Sequence, residues 1–151
     1  MLQVAKADIL SFLDPFYQKT VVLHGCNCFH TMGSGIAKYL RQQFPIIYTV
    51  DVSTTVRGDK DKLGTFSTAV ISDNFHILNC YTQYNYGREK KLYANYIAIE
   101  ECFKEVARRY DTSCEIRMPK IGCGLAGGDW NIVSKALITH LGNRNVKVYY
   151  R

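Results

Sequence analysis

Short apolar runs rich in β-branched residues alternate along this chain with segments of helical periodicity. The runs predict strands over residues 3–9, 20–24, 66–71, 75–81, 115–119 and 145–150. Apolar residues recur at three- and four-residue steps from Leu92 to Tyr110 and from Ile132 to Leu141, which predicts two helices. A third helix is predicted to begin at the glycines of "MGSGIAKYLRQQF" and to end before Pro45. Alternating strands and helices predict an α/β fold of three layers, with helices on both faces of a central mixed sheet.

No linker divides this alternation, so residues 1–151 are expected to form one domain. The N-terminal residues lack a basic segment followed by a long apolar stretch, so no signal peptide is indicated. No segment approaches the ~20 apolar residues that span a bilayer. We therefore expect a soluble, cytoplasmic protein that is a monomer and has no membrane partner.

The net charge of +6 favours an anionic partner but does not choose among nucleic acid, nucleotide and phosphorylated metabolite. The basic residues cluster only at 88–91 and 108–109, and solvated surface explains both clusters most simply. Of the six cysteines, Cys26 and Cys28 have the wrong spacing for a zinc site. Cys80 and Cys102 lie in apolar periodic segments, where a reduced thiol behaves as a small hydrophobe. We expect no disulfide framework, no metal and no cofactor.

Two glycine-rich loops each follow a predicted strand and open a predicted helix. "GCNCFHTMGSG" follows the strand at 20–24, and "GCGLAGGDW" follows the strand at 115–119. Glycine lets the backbone approach a ligand closely, and the N–H groups at a helix start favour phosphate. Ordinary turns and caps explain one such loop equally well. Two loops at the carboxyl ends of two strands favour a diphosphate site between them.

The second loop contains a G-x-G-x-x-G at Gly122, Gly124 and Gly127, but it is not a dinucleotide fingerprint. That motif belongs near the first strand of its domain and needs an acidic residue ~20 positions later. Here the motif lies close to the C-terminus, and no acidic residue follows Asp129. The P-loop, the cysteine-phosphatase loop and the G-x-S-x-G motif are also absent from the sequence.

Three segments in order resemble the macrodomain family, an ADP-ribose-binding α/β/α module. These segments are "ADI" at 7–9, "HGCNCFHTMGSGIA" at 24–37 and "MPKIGCGLAGGDW" at 118–130, and the resemblance covers essentially the whole chain. Within the family the chain is most similar to the stand-alone branch that contains ADP-ribose 1''-phosphate phosphatases and terminal ADP-ribose protein glycohydrolases.

The resemblance implies positions for the ligand-binding residues. Asp8, with Ile9 beside it, matches the acid that accepts a hydrogen bond from the adenine amino group, although a helix-start cap is the alternative. Asn27 matches the contact to the distal ribose hydroxyls. Tyr149 or Tyr150 is the candidate to pack on adenine, or else is simply core. The remaining expected contacts are Gln83, a first phosphate loop of Met32, Gly33, Ser34, Gly35, Ile36 and Ala37, and a second of Ile121, Gly122, Cys123, Gly124, Leu125 and Ala126.

The same resemblance ranks the possible activities. The glycohydrolases use a lysine on the strand that matches "HILNCYTQ" and an aspartate just after G-C-G-L. This chain has no lysine in that strand and has Ala126 in the aspartate's place, so a lysine nucleophile is unsupported. The phosphatase activity needs an acid or base group near the distal ribose. His24 is the first candidate and His30 the second, because imidazole suits proton transfer near neutrality.

Asn27 and Asp129 complete the expected catalytic set, and Arg88 is expected to border the distal phosphate. Each has a structural alternative: a buried strand histidine for His24, a solvated side chain for Arg88, and a helix cap for Asp129. The leading hypothesis is hydrolysis of ADP-ribose 1''-phosphate. A reader that only binds ADP-ribose is the second. A hydrolase of ADP-ribose esters on ADP-ribosylated proteins or nucleic acid, working by substrate-assisted water attack, is the third.

Overall fold

The computed structural model describes residues 2–11, 13 and 18–150, and within them six strands alternate with four helices. In chain order the elements are β1 (Leu2–Lys6), β2 (Thr20–Cys26), α1 (Gly35–Gln43), α2 (Ile46–Thr54), a 3₁₀ turn (Lys60–Lys62), β3 (Phe66–Ser72), β4 (Phe75–Tyr81), α3 (Tyr96–Arg109), β5 (Glu115–Pro119), α4 (Trp130–Leu141) and β6 (Val146–Tyr150).

The six strands form one mixed sheet in the order β1-β6-β5-β2-β4-β3. The first five strands in this order pair in parallel. The edge strand β3 is antiparallel to β4, because a two-residue turn at 73–74 joins the two as a hairpin. The parallel strands all end at the same edge of the sheet, so the loops that follow them gather there.

The helices cover both faces of the sheet, and this confirms the predicted three-layer α/β/α fold. Strand residues alternate between the faces: Val22 packs with α1 and α2, whereas Val21 and Leu23 pack with α3 and α4. Helix α3 is held at its start by Asn95, whose side-chain oxygen accepts a hydrogen bond from the backbone N–H of Ala98.

Two element boundaries differ from those predicted by more than two residues. Strand β1 ends at Lys6, not at residue 9, because after Ala7 the chain turns away from β6 into a bend at residues 8–11. Helix α3 begins at Tyr96 and not near Leu92, because Asn95 caps it there. The sequence pattern gave no indication of α2.

All six cysteines are free thiols, and every one except Cys123 is buried. Cys80 and Cys102 lie in the core between the sheet and α3, as the apolar character of their segments predicts. In the part of the chain that the structure describes, no helix combines the length and the apolar character that crossing a membrane requires.

Candidate functional site

The loops that follow β5, β2 and β4 enclose a cleft of about 520 Å³ at the carboxyl edge of the sheet. Strand β2 lies between β5 and β4, so its loop has a neighbouring loop on each side. Ligands of open α/β sheets bind at this edge. The cleft is lined by residues 25–27, 31–37, 83, 86–88, 119–122 and 124–126. Both glycine-rich loops therefore border one shared cavity.

The first glycine-rich loop brings the amino end of α1 to the cleft. Helix α1 begins at Gly35, and among the described residues the Ser34 hydroxyl makes no capping hydrogen bond. A Cβ atom at Gly33 or Gly35 would meet no heavy atom within 4 Å in the described part of the chain. The first turn of α1 thus borders open space with amide groups that helix geometry leaves without an intrahelical acceptor. This arrangement favours an anion.

The second loop contains glycines of two kinds. Gly122 and Gly127 each have φ of +75°, and a Cβ at Gly127 would lie 2.6 Å from the carbonyl oxygen of Lys91, so the fold itself requires glycine there. Gly124 has no such constraint: its φ is not in the left-handed region, and within the described residues a Cβ there would meet nothing within 4 Å. The absence of a side chain at Gly124 leaves room in the cleft and has no visible structural purpose.

A second, apolar pocket of about 300 Å³ continues the cleft beyond Gly35, Ile36 and Pro119, which line both cavities. It is bounded by Ala7, Ile9, Tyr39, Tyr149 and Tyr150. Asp8 is not one of the lining residues, but it stands between Ala7 and Ile9, which are, and its Oδ2 accepts a hydrogen bond at 2.7 Å from the hydroxyl of Tyr39, which also lines the pocket. Aromatic and aliphatic walls beside a carboxylate suit a flat heterocycle that has an amino group.

Polar side chains gather on the β2 and β4 side of the cleft. Asn27 lines it, with its side-chain amide held by the loop: Nδ2 donates to Thr31 Oγ1 at 2.6 Å, and Oδ1 accepts from the backbone N–H of Phe29 at 2.8 Å. Gln83 and Arg88 line the cleft from the loop after β4. Arg88 is exposed.

A buried ion pair supports the first loop from beneath. Lys62 Nζ lies 3.7 Å from Asp51 Oδ1, and the two side chains are 5% and 1% exposed. Lys62 also donates to the carbonyl oxygen of Cys28 at 3.4 Å, and the Tyr81 hydroxyl donates to Asp51 Oδ1 at 2.6 Å. Because Cys28 directly follows the cleft residue Asn27, the pair ties the loop after β2 to the core.

His24 lies in the core and not in the cleft. Its side chain is fully buried on β2, where Nε2 is 2.6 Å from Asn79 Oδ1 on β4. Burial lowers the pKa of His24, against smaller raising effects of the Asn79 hydrogen bond and of the Asp51 carboxylate. The expectation that His24 exchanges protons with a ligand is therefore corrected: it is a hydrogen-bonded core residue that does not reach the cleft.

Two further expected catalytic residues also point elsewhere. His30 has φ of +58°, and its Nε2 is 2.9 Å from Thr55 Oγ1 at the end of α2, outside the cleft lining. Asp129 caps α4 by accepting a hydrogen bond from the backbone N–H of Asn131 at 2.9 Å. Cys123, expected among the ligand contacts, turns its thiol toward the carbonyl oxygen of Ile121 and does not line the cleft.

The buried imidazole makes stability depend on pH. Because the folded-state pKa of His24 is depressed, the unfolded chain binds more protons than the folded chain below about pH 6.5. We expect the free energy of unfolding to fall as the pH drops from about 7.5 to about 5, by at most about 1.4 kcal/mol per pH unit for this group. Urea unfolding across this range measures the slope, and His24→Gln should reduce it. An unchanged slope in His24→Gln would contradict a contribution of His24 to the pH dependence. A smaller slope is expected to remain in this variant, because burial also lowers the pKa of His76.

The structure adds cleft residues that the sequence did not indicate. Lys120 lines the cleft below the second loop, and Thr31 and Tyr86 line it from the loops after β2 and β4. Tyr39 reaches the apolar pocket from α1, four residues after Gly35 and thus on the same side of the helix. Helical spacing was a usable signal for Tyr39, whereas Lys120, Thr31 and Tyr86 carry no local pattern that marks them.

In open α/β sheets, ligands bind between the loops at the carboxyl ends of the strands, and in this chain two glycine-rich loops share one cleft at that edge. No family model matches the chain. A curated relative, an uncharacterised 17.5 kDa protein in the tk–vs intergenic region of Enterobacteria phage T4, is 34% identical in an alignment of 146 positions that covers 93% of this chain and 90% of the relative. The ADP-ribose 1''-phosphate phosphatase of Candida albicans is 28% identical in an alignment of 145 positions that covers 91% of this chain and 92% of that protein.

Solved structures share the fold at low identity. A macrodomain protein from Streptomyces coelicolor superposes with a TM-score of 0.77 at 20% identity, over 100% of this chain and 99% of that chain. Thermosipho africanus DarTG, solved in complex with ADP-ribose, superposes with a TM-score of 0.74 at 22% identity, over 98% of this chain and 41% of that chain. This chain belongs to the same family as the phage T4 protein and has the macrodomain fold of these solved structures.

Proposed function

We propose that this protein binds ADP-ribose 1''-phosphate in its cleft and hydrolyses it to ADP-ribose and phosphate. One observation carries the proposal: the cleft and the apolar pocket share Gly35, Ile36 and Pro119, so one elongated ligand fits across both. The order of the strands supports the proposed direction of the ligand, with adenine at one end and the terminal phosphate at the other. The apolar pocket lies at β1 and β6, and the loop of Arg88 follows β4, on the other side of β5 and β2.

Each part of this ligand has a chemically suitable neighbour. Adenine packs beside Tyr149 in the apolar pocket, and the diphosphate lies between the first turn of α1 and the loop around Gly124. The distal ribose lies near Asn27. On binding, the Asn27 amide gives up its hydrogen bond to Thr31 and forms hydrogen bonds to the ribose hydroxyls. Arg88 offers its guanidinium fork to the terminal phosphate. The named activity of the Candida albicans relative and the ligand of the Thermosipho africanus structure support this assignment.

The hydrolysis follows from the chemistry of phosphate monoesters. A water oxygen attacks the phosphorus, the bond between phosphorus and the 1''-oxygen breaks, and the water supplies the proton that the released hydroxyl needs. The transition state is loose and keeps negative charge on the phosphoryl oxygens, so positioning and positive charge contribute most of the catalysis. Arg88 supplies that charge, and Asn27 fixes the ribose.

A reader that binds ADP-ribose without turnover is the second candidate, and a specific observation favours it. Among the described residues that line the cleft there is no histidine, aspartate or glutamate. A general acid or base would normally come from these residue types. The cleft thus has the groups for binding and for electrostatic stabilisation, but for proton transfer its described lining offers only Lys120, Tyr86 and Cys26 and none of the commonest residue types.

Incubation with ADP-ribose 1''-phosphate and measurement of released inorganic phosphate decide between the two functions. We expect release from the wild-type protein, and we expect Arg88→Ala to slow it by about 100-fold or more, because a charge-assisted contact to the transferred group is lost. Lys90→Ala is the matched control, since Lys90 is an exposed cation in the same loop that does not line the cleft. Phosphate release no faster than in a protein-free sample would overturn the proposed hydrolysis and favour binding of ADP-ribose without turnover. Equal slowing by both variants would remove Arg88 from the mechanism.

A further inference from the structure

The turn at residues 8–11, at the mouth of the apolar pocket, is held from the core by a buried arginine. Arg117, on the central strand β5, is 2% exposed, and its Nη1 donates to the carbonyl oxygens of Ile9 at 2.9 Å and Ser11 at 2.6 Å. Its Nε donates to Glu115 Oε2 at 2.7 Å, and Glu115 Oε1 accepts from Lys147 at 2.6 Å. A buried guanidinium is costly unless it is paired, so this arrangement fixes the turn tightly to the sheet.

The same turn is held from the other side by α1. The Tyr39 hydroxyl donates to Asp8 Oδ2 at 2.7 Å, and the backbone N–H of Leu10 donates to Asp8 Oδ1 at 2.9 Å. The backbone N–H of Ser11 donates to the carbonyl oxygen of Asp8 at 2.9 Å and closes the turn. The carboxylate of Asp8 therefore has a defined place and orientation at the edge of the pocket.

A fixed carboxylate distinguishes between purine bases. Adenine carries an amino group at position 6, which donates to a carboxylate, whereas hypoxanthine carries an oxygen there, which is repelled by it. A polar group selects strongly only when it is held in position, because a mobile one moves away from the wrong ligand. The groups that hold the 8–11 turn thus control how sharply the pocket selects its base.

We propose that Arg117 and Tyr39 are specificity-determining positioning residues that set the preference of the pocket for adenine by fixing Asp8. The inference rests on the proposed binding of an ADP-ribose ligand, and it adds two residues that act on base selection and not on the diphosphate or the reaction. Arg117 acts through the backbone of the 8–11 turn, and Tyr39 acts directly on the carboxylate.

The test compares dissociation constants for ADP-ribose and for inosine diphosphate ribose, which differ only in the base, by calorimetry. We expect the wild-type protein to prefer ADP-ribose by at least about tenfold, the worth of one hydrogen bond to a charged group. Arg117→Lys keeps the charge, but its single ammonium nitrogen cannot replace both the Nε bond to Glu115 and the Nη1 bonds to the two carbonyl oxygens. Tyr39→Phe loses a single oxygen. Both variants should raise the dissociation constant of ADP-ribose while changing that of inosine diphosphate ribose by less than about twofold. The ratio of the two dissociation constants should therefore approach one.

Arg108→Lys is the control, because Arg108 is an exposed arginine on α3 whose side chain pairs with Glu105, and it should leave the ratio unchanged. A purely structural role would weaken both ligands equally, and that result in both variants would overturn the inference. A wild-type ratio near one would overturn it as well. If Arg117→Lys does not fold, Tyr39→Phe decides. Failure of the wild-type protein to bind either ligand would instead refute the proposed function.

Discussion

Replacing Gly124 with valine is expected to weaken ADP-ribose binding by about 100-fold or more, roughly 2.7 kcal/mol, while the midpoint of thermal unfolding stays within about 2 °C of the wild type. The reason is geometric. Among the described residues a Cβ at Gly124 would meet no atom within 4 Å, so a side chain at this position begins in open space and we expect the free protein to accommodate it. The branched side chain then occupies the part of the cleft where the diphosphate is proposed to lie. Calorimetry with ADP-ribose and a thermal melt measure the two quantities.

Two controls separate ligand space from folding. Gly128→Ala should instead lower the midpoint of thermal unfolding and weaken ADP-ribose binding less than Gly124→Val does. Its Cβ would clash with the carbonyl oxygen of Gly122 and destabilise the loop itself. Ala5→Val places a valine side chain on the exposed edge strand β1, away from the cleft, and should change neither quantity. Wild-type affinity in Gly124→Val would contradict the diphosphate site between the two glycine-rich loops.

The parts of the fold that follow from local sequence were predictable. The strands at 75–81 and 115–119 have the predicted bounds, because apolar β-branched runs with turn residues at their ends carry enough information on their own. Both glycine-rich loops follow strands of the parallel sheet, and parallel strands end together. Their position at one cleft therefore follows from the alternation of strands and helices.

Helix α2 shows where local pattern misleads. Its sequence, "IIYTVDVST", is rich in β-branched residues, which favour strands. It is nevertheless helical: Pro45, whose fixed φ suits a helix start, precedes it, and Ile47 and Asp51, four residues apart, are both buried. The buried charge of Asp51 is tolerated because Lys62 comes from a later segment, and no pattern within α2 predicts that partner.

The same limit applies to the candidate site. Residue type and position near a glycine-rich loop favoured His24 as a proton-transfer group, but its side chain lies on the face of β2 that packs into the core, against Asn79 of β4. Asn79 is 55 residues away in sequence, and strand pairing alone brings the two together. Conversely, Lys120 and Tyr86 reach the cleft through tertiary placement. The position of the backbone loops at the site is therefore easier to predict from sequence than the side chains that approach them from other elements.

Replacing Lys62 with methionine is expected to lower the free energy of unfolding by about 3–5 kcal/mol, because it leaves the Asp51 carboxylate buried without its cation. Urea unfolding measures the change. Lys60→Met, an exposed lysine in the same 3₁₀ turn, should stay within about 0.5 kcal/mol of the wild type. Adding Asp51→Asn to Lys62→Met should recover part of the loss, because removal of the second charge relieves the uncompensated one. A Lys62→Met protein as stable as Lys60→Met, or a double variant less stable than Lys62→Met, would show that the ion pair does not hold the loop of Asn27 to the core.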